Sequence, residues 1–323
     1  MNFKIKLKAG LRKIIWIIDW ILLLPIAPAS LLMKMYRRIG SKRLPKTTSL
    51  IRKFGVFPII RNYYEPLFDT QMLDKKMLNS RKLPGLKLNA KMQISFLKQL
   101  KYGQELIHLN FAKRNKQNLF FSIDNGSFEA GDAEFLYQFI RKVKPEQIIE
   151  IGGGESTRII QLAAQKNSKK VDHYCIEPYE MEWLNNFKSI NLIRNKIENL
   201  DFDWSKKLRA NDLLFIDSSH IIRPQGDVLF EYLEILPQLA KGVYIHVHDI
   251  FTPRDYPENM LVNEVRFWNE QYLLEAILSN SSRYQIIASL NYLKHNFFAD
   301  LKRVAPYLTS SHEPGSIYLK VIN

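Results

Sequence analysis

The sequence predicts an α/β fold: an open, mostly parallel seven-stranded sheet with helices on both faces and an antiparallel edge strand. A helical cap and a basic, apolar segment precede it. Three observations point there. From Gln147 onward, short and almost continuously apolar runs at 147–151, 171–176, 190–194, 212–216 and 243–248 alternate with helical patterns, notably over 156–166 and 226–241. Such runs are the mark of parallel strands buried on both faces. Two further runs, Tyr284 to Leu290 and Ser316 to Val321, can pair antiparallel at one edge. Finally, the basic residues crowd around an apolar stretch near the N-terminus.

That crowding decides how the net charge of +15 is read. Residues 1–53 hold thirteen Lys/Arg against one acid, Asp19, so the other 270 residues carry only +3. A basic stripe for nucleic acid would be spread over the domain, so a nucleic-acid partner is not expected. Cationic flanks around apolar residues suit an anionic membrane surface. The run from Ile14 to Met33 lacks Lys and Arg and is long enough to span a bilayer. Asp19, Pro25 and Pro28 count against a simple span. Ala27-Pro28-Ala29 resembles a signal-peptide cleavage site, but Leu31, Leu32 and Met33 continue the apolar run beyond it. The expectation is a membrane-associating segment over 1–46, monotopic or re-entrant, with the rest of the chain cytoplasmic or on the cytoplasmic face. The alternative is a hydrophobic helix packed on the protein's own body. The lone Cys175 excludes an internal disulfide and a cysteine-rich zinc module, and reads as a small buried apolar residue.

Residues 47–124 read as a cap or substrate region. Gly55 to Pro58 and Tyr63 to Phe68 are aromatic segments punctuated by proline. Ile94, Leu97, Leu100, Leu106 and Ile107 predict an amphipathic helix over about 91–107. Asp124 to Phe128 is a turn signal, and its Asn125 is a candidate acceptor contact. Gly131-Asp132 opens a helix carrying Phe135, Leu136, Phe139, Ile140 and Val143.

The domain over 125–323 carries the chemistry. Ligands of open α/β sheets bind outside the carboxyl ends of the strands. The first strand ends in Glu150-Ile151-Gly152-Gly153-Gly154, followed by a helix opening at Ser156 and Thr157. Glycine admits a positive φ and a close approach to the backbone, and a helix N-terminus offers free N–H groups. No Gly-Lys-Ser/Thr follows, which excludes a P-loop, and a carboxylate suits a cationic or hydroxyl-bearing ligand better than a phosphate. The second strand ends in Glu177, whose carboxylate can accept from two ribose hydroxyls. The fourth ends in Asp217-Ser218-Ser219-His220, and the fifth carries His246 and ends in His248-Asp249.

With these motifs the chain resembles the class I S-adenosylmethionine-dependent methyltransferases, which have a Rossmann-like fold. It is most similar to a subgroup with Glu-Ile-Gly-x-Gly-x-Ser-Thr, Phe-Ile-Asp-x-x-His and His-Asp-Ile-Phe motifs, present here as Glu150 to Thr157, Phe215 to His220 and His248 to Phe251. Gly153 stands where serine is expected, and the turn stays feasible. The resemblance implies that Glu150, Gly152, Gly153, Gly154, Ser156 and Thr157 surround the methionine part of the cofactor. It places the ribose on Glu177, the reacting methyl beside Asp217, and adenine near Ile197-Glu198. Methyl transfer to oxygen needs a base or a metal to ionise the acceptor. Asp217 and Asp249 stand where some related enzymes hold a divalent cation such as Mg2+, with His248 or His220 to complete the site. The alternative is a metal-free reaction with His248 or His220 as base. His246 shares the face of His248 and reads as a hydrogen-bonded sheet histidine. Arg254 and Tyr256, in the loop after His248-Asp249, are candidate acceptor contacts.

The reading that results is O-methylation of a hydroxyl on a saccharide, lipid-linked glycan or similar small acceptor. A binding or scaffold protein on the same fold is the second reading. A metal-dependent hydrolase using His246, His248 and Asp249 is the third, and it leaves the glycine loop without a task.

Overall fold

The computed structural model describes residues 2–60, 66, 68, 73, 79–179 and 181–323. The segment Tyr63 to Phe68 falls outside them apart from Pro66 and Phe68. The chain divides into two compact units, Met1–Leu73 and Asp74–Asn323. The expected cap over 47–124 is therefore divided, and its described residues from Asn79 onward belong to the second unit.

In the first unit, helix α1 (Asn2–Ile39) runs through Pro25 and Pro28. Each proline frees a carbonyl one turn earlier. The stretch Ile14–Ile39 is long and apolar enough to cross a membrane, with a mean hydropathy of 2.0. Its apolar side chains are uncovered: Trp16, Leu24 and Leu32 are 64%, 82% and 63% exposed. Helix α2 (Pro45–Lys53) opens on a proline, whose missing N–H costs nothing at that position. Burial of Tyr36 and Ile51 holds the two helices together, with the Tyr36 hydroxyl 2.8 Å from Thr48 Oγ1.

In the second unit, strands β1 (Gln147–Ile151), β2 (Asp172–Ile176), β3 (Asn191–Ile193), β4 (Leu213–Ile216), β5 (Tyr244–Val247), β6 (Tyr284–Ser289) and β7 (Ile317–Val321) form one sheet in the order β3-β2-β1-β4-β5-β7-β6. β1 to β5 pair in parallel, and β7 runs antiparallel to both β5 and β6. The antiparallel strand is thus one place in from the edge, because β6 closes the sheet. Side-chain alternation feeds two cores. Ile148, Leu213, Phe215 and Tyr318 face one side with Phe135, Phe139 and Ile160. Ile149, Ile151, Leu214, Ile216, Ile245 and Val247 face the other with Tyr232, Ile235 and Leu274.

Helices α3 (Ala90–Gln99) and α4 (Gly103–Leu109) replace the single helix expected over 91–107. The chain extends at Leu100 (ψ 116°), and the Tyr102 N–H donates to Gln138 Oε1 at 2.8 Å, which fixes the break. Leu97, Leu106 and Leu109 still reach the core beside helix α5 (Asp132–Val143). The helix expected over 226–241 is confined to 227–238, with a π turn at Glu231–Ile235.

The sheet changes direction at β1, whose neighbours are β2 on one side and β4 on the other, and a crevice opens at such a point. The loop from β1 to helix α6 (Glu155–Gln165) lines it. Gly152 has φ +84°, and a Cβ there would lie 1.9 Å from the Asp217 carbonyl oxygen. A Cβ on Gly153 would lie 2.6 Å from Cys175 Sγ. Gly154 is different: its backbone is extended (φ −174°), and the nearest atom to an added Cβ is 3.8 Å away. Gly152→Ala is therefore expected to destabilise the unit by several kcal/mol, combining backbone strain of about 1–3 kcal/mol with a backbone clash. Gly154→Ala should stay within about 1 kcal/mol of the parent. Urea unfolding of the two variants, followed by circular dichroism, checks the contrast.

Candidate functional site

Glu150 lies beneath the glycine loop with no exposure. Its carboxylate accepts from Ser156 Oγ at 2.7 Å and Thr157 Oγ1 at 2.8 Å, and lies 2.9 Å from Nε2 of His173, itself buried. His173 Nδ1 meets Gln161 Nε2 at 2.7 Å. A carboxylate inside an apolar strand needs such partners. Thr157 Oγ1 also accepts the Gly154 N–H at 3.1 Å, so Glu150 ties the start of α6 to the loop. This is a position behind the crevice, with the loop between Glu150 and any ligand.

The crevice itself is a cavity of about 330 Å³ at the carboxyl ends of β1, β2 and β4, within the size range of small-molecule sites. Gly152 forms its floor, with Glu177 on one side and Asp217 on the other; Ile197 and Glu198 close the far end. Glu177 Oε1 accepts the Tyr179 N–H at 2.9 Å and Oε2 the Gly153 N–H at 3.2 Å. One lone pair of each oxygen is thereby left for a ligand. Burial pushes the Glu177 carboxyl up, against the pull of these two N–H groups. Asp227 holds the opposite wall by accepting the Ser219 N–H at 2.9 Å and its hydroxyl at 2.7 Å.

Beyond Asp217 lies a cluster of acids and histidines. His248 Nδ1 is 3.3 Å from Asp217 Oδ1 and 3.8 Å from Asp249 Oδ2. His220 Nε2 is 3.4 Å from Asp217 Oδ1 and 3.5 Å from Asp249 Oδ2, while its Nδ1 meets Glu270 Oε2 at 2.8 Å. His220 (φ +61°) and Asp249 (φ +54°) both hold the left-handed conformation, strain of the kind that collects at functional sites. Burial opposes charge on both histidines. For His248 the Asp249 and Asp217 carboxylates outweigh it and raise the ring to about 10. For His220 contacts with Asp217 and Glu270 do so, well above the ordinary histidine range. Burial would raise Asp217, but His248 and then His220 pull it far below the usual carboxylate range. The ligand atoms of Asp217, His248 and Asp249 all lie within 4.8 Å of one another, an arrangement able to hold a cation.

The structure therefore brings together Gly152, Gly153, Glu177 and Asp217 around the crevice, with His220, His248 and Asp249 at its Asp217 end. Glu150, Ser156 and Thr157 stand behind the loop. Two expected acceptor contacts are corrected. Asn125 spends its side chain on its own turn: Oδ1 accepts from Ser127 and Phe128, and Nδ2 donates to the Ser122 and Phe128 carbonyls. Tyr256 is 2% exposed among Phe251, Trp268 and Tyr272, and its hydroxyl oxygen accepts the Gln271 N–H at 3.1 Å. Arg254 is partly exposed, and its carbonyl anchors Arg81 and Gln271.

His246 is corrected as well. It shares the face of His248, but neither ring nitrogen has a hydrogen-bond partner among the described residues. It is sandwiched by Phe215 and Tyr318 at 4.2 and 4.5 Å, and burial holds it well below the ordinary histidine range, as a neutral ring. It takes no part in the cation-binding group, which removes the basis of the hydrolase reading. Sequence reasoning missed Glu270, fully buried between His220 and the Tyr232 hydroxyl (2.8 Å), and Glu231, whose π-turn position lets it accept from Ser218 Oγ at 3.0 Å. Neither adjoins a motif, and an acid in the first turn of a helix, as Glu270 is, is ordinary there.

Residues 149–250 match a family described as a methyltransferase domain. An uncharacterized protein of Archaeoglobus fulgidus is 25% identical over 189 residues, covering 55% of this chain and 85% of that protein. Among solved structures, a putative O-methyltransferase from Klebsiella pneumoniae is 15% identical with a TM-score of 0.41, covering 71% of this chain and all of the other. The plantazolicin methyltransferase BpumL, solved with a pentazolic desmethylPZN analog and SAH, is 14% identical with a TM-score of 0.40, covering 72% and 98%. Scores this low decide nothing about function. The family match instead runs from β1 through the glycine loop to the end of β5, and so takes in the strand ends that frame the crevice. Over residues 149–250 the chain carries a methyltransferase domain.

Proposed function

We propose that this enzyme moves the methyl group of S-adenosylmethionine to an oxygen of a small acceptor seated beside His248. Asp217 is the observation that carries the reading: it lines the crevice and also lies 3.3 Å from His248 Nδ1. The residues present fit the cofactor. Gly152 brings bare backbone to the crevice wall, Glu177 keeps acceptor capacity for the ribose hydroxyls, and Ile197 and Glu198 line the cavity for the adenine. Asp217 stays anionic beside the cationic sulfonium. Glu150, Ser156 and Thr157 act on the cofactor through the loop they fix.

The acceptor hydroxyl gives its proton to a base, its oxygen attacks the methyl carbon, and the C–S electron pair returns to sulfur. His248 is the base in this reading, with Asp217 and Asp249 orienting its ring. Glu270 positions His220. At about 10, the His248 ring is neutral in only about one molecule in a thousand at pH 7. One observation favours a second reading: Asp217, His248 and Asp249 can hold a divalent cation. Such an ion would supply Lewis acidity toward the acceptor oxygen. Trp268, partly exposed and 4.4 Å from His220, gives the acceptor end an apolar face suited to a sugar ring. The uncovered apolar surface of α1 supports a membrane-associated enzyme, and a saccharide or lipid-linked glycan as acceptor. Basic residues stand on both flanks of the apolar run, Lys4 to Lys13 and Lys34 to Lys53, which suits a monotopic or re-entrant segment with both ends on one face.

Glu177→Ala should raise KM for S-adenosylmethionine at least about tenfold, the loss of hydrogen bonds to a charged group, with a smaller change in kcat. Single-turnover methylation decides between base and cation. With His248 as base, EDTA leaves the rate unchanged, and the rate climbs with pH from neutrality toward about 10. Loss of activity with EDTA and rescue by Mg2+ would transfer that task to the cation. Glu270→Gln should lower the His220 pKa. A raised histidine pKa stabilises the fold fully below the unfolded value near 6.5, and loses that effect as pH rises through the folded value. The variant should therefore lose most melting temperature below about pH 6.5 and least in alkaline buffer, as differential scanning fluorimetry across pH would show.

A further inference from the structure

Besides the crevice, the first unit contains a second concave site that the methyl-transfer chemistry does not use. A groove of about 840 Å³ lies between the C-terminal half of α1 and the extended segment after α2. Ile26, Ala29 and Met33 form one wall, and Val56, Ile59 and Ile60 the other. On α1 these positions recur three to four residues apart, so they share one helix face, and the small Ala29 lets the second wall come close. The Arg37 guanidinium lies 4.7 Å above the Phe57 ring and ties that wall to the helix. Lys34 and Arg38 close one end of the groove. They are one turn apart, both exposed, and neither has an acidic partner among the described residues.

We propose that this groove is a binding site for one anionic phospholipid of the bilayer, with an acyl chain along the apolar walls and the phosphate between Lys34 and Arg38. Charge complementarity and depth both select this occupant. The apolar run Ile14–Met33 is the part of α1 that enters the apolar region of a bilayer, whether monotopic or re-entrant, and it ends at Met33. Lys34 and Arg38 then fall at headgroup level on one side, directly beyond the last apolar residue. A groove that is apolar toward the bilayer core and cationic at its surface matches an anionic lipid along its length. The proposal rests on the membrane reading of α1, and goes beyond it by assigning a site with defined occupancy rather than a diffuse basic surface.

The test uses the full chain incorporated into bilayer nanodiscs of phosphatidylcholine with a minority of phosphatidylglycerol, the lipids that stay bound being counted by native mass spectrometry. The wild type should retain one phosphatidylglycerol in preference to phosphatidylcholine. K34A/R38A should weaken that retention on the order of tenfold or more, and K34R/R38K should restore it. K42A/R43A, which removes two equally exposed charges outside the groove, should leave it unchanged. An equal loss in both alanine pairs, or no loss in K34A/R38A, would overturn the site. Failure of the wild type to enter neutral phosphatidylcholine bilayers would instead overturn the membrane reading beneath it.

Discussion

The backbone of Asp217 passes where a side chain on Gly152 would stand, with 1.9 Å between the carbonyl oxygen and the position of a Cβ. That close approach joins the ends of β1 and β4. It sets the floor of the crevice and brings the Asp217 carboxylate to its wall. From there the acid–histidine cluster follows, because β4 and β5 are adjacent and parallel, and His248 and Asp249 leave the end of β5 alongside Asp217. The crevice and the acid–histidine cluster are thus two sides of one strand end. Glu150 supports this arrangement from beneath. Its buried carboxylate fixes Ser156 and Thr157 and, through Thr157, the Gly154 N–H. The site is rigid on the cofactor side because a buried charge has been surrounded by donors rather than left for the ligand.

Electrostatics divide the site. Glu177 is raised by burial, and Asp217 is held down by two histidines. Both suit the proposed cationic nucleoside, Asp217 as an ionised partner for the sulfonium and Glu177 as an acceptor for the ribose hydroxyls. The two histidines share three carboxylates, Asp217, Asp249 and Glu270. Their protons are therefore strongly held.

The sheet was legible because parallel strands buried on both faces leave near-continuous apolar runs, and all seven strand cores fell within those runs. The cluster was legible because it stands at strand ends, where sequence order gives spatial order. What was not legible depended on contacts between distant residues. The break between α3 and α4 is fixed by Gln138, 36 residues from Tyr102. Glu270 reaches His220 across 50 residues. Asn125 and Tyr256 have the residue types of ligand contacts, yet one is consumed by its own turn and the other by an aromatic core. His246 shows the limit most directly: alternation placed it on the correct face, but only packing reveals that Phe215 and Tyr318 leave it no polar partner.

In the proposed reaction the cofactor and the acceptor meet at Asp217. Histidine ring resonances followed by NMR during titration with S-adenosylhomocysteine test this directly. Saturable shifts of His248 and His220, larger than that of the exposed His108 on α4, are the predicted result. Binding that leaves His248 and His220 unperturbed, or no binding by well-folded protein, would contradict it.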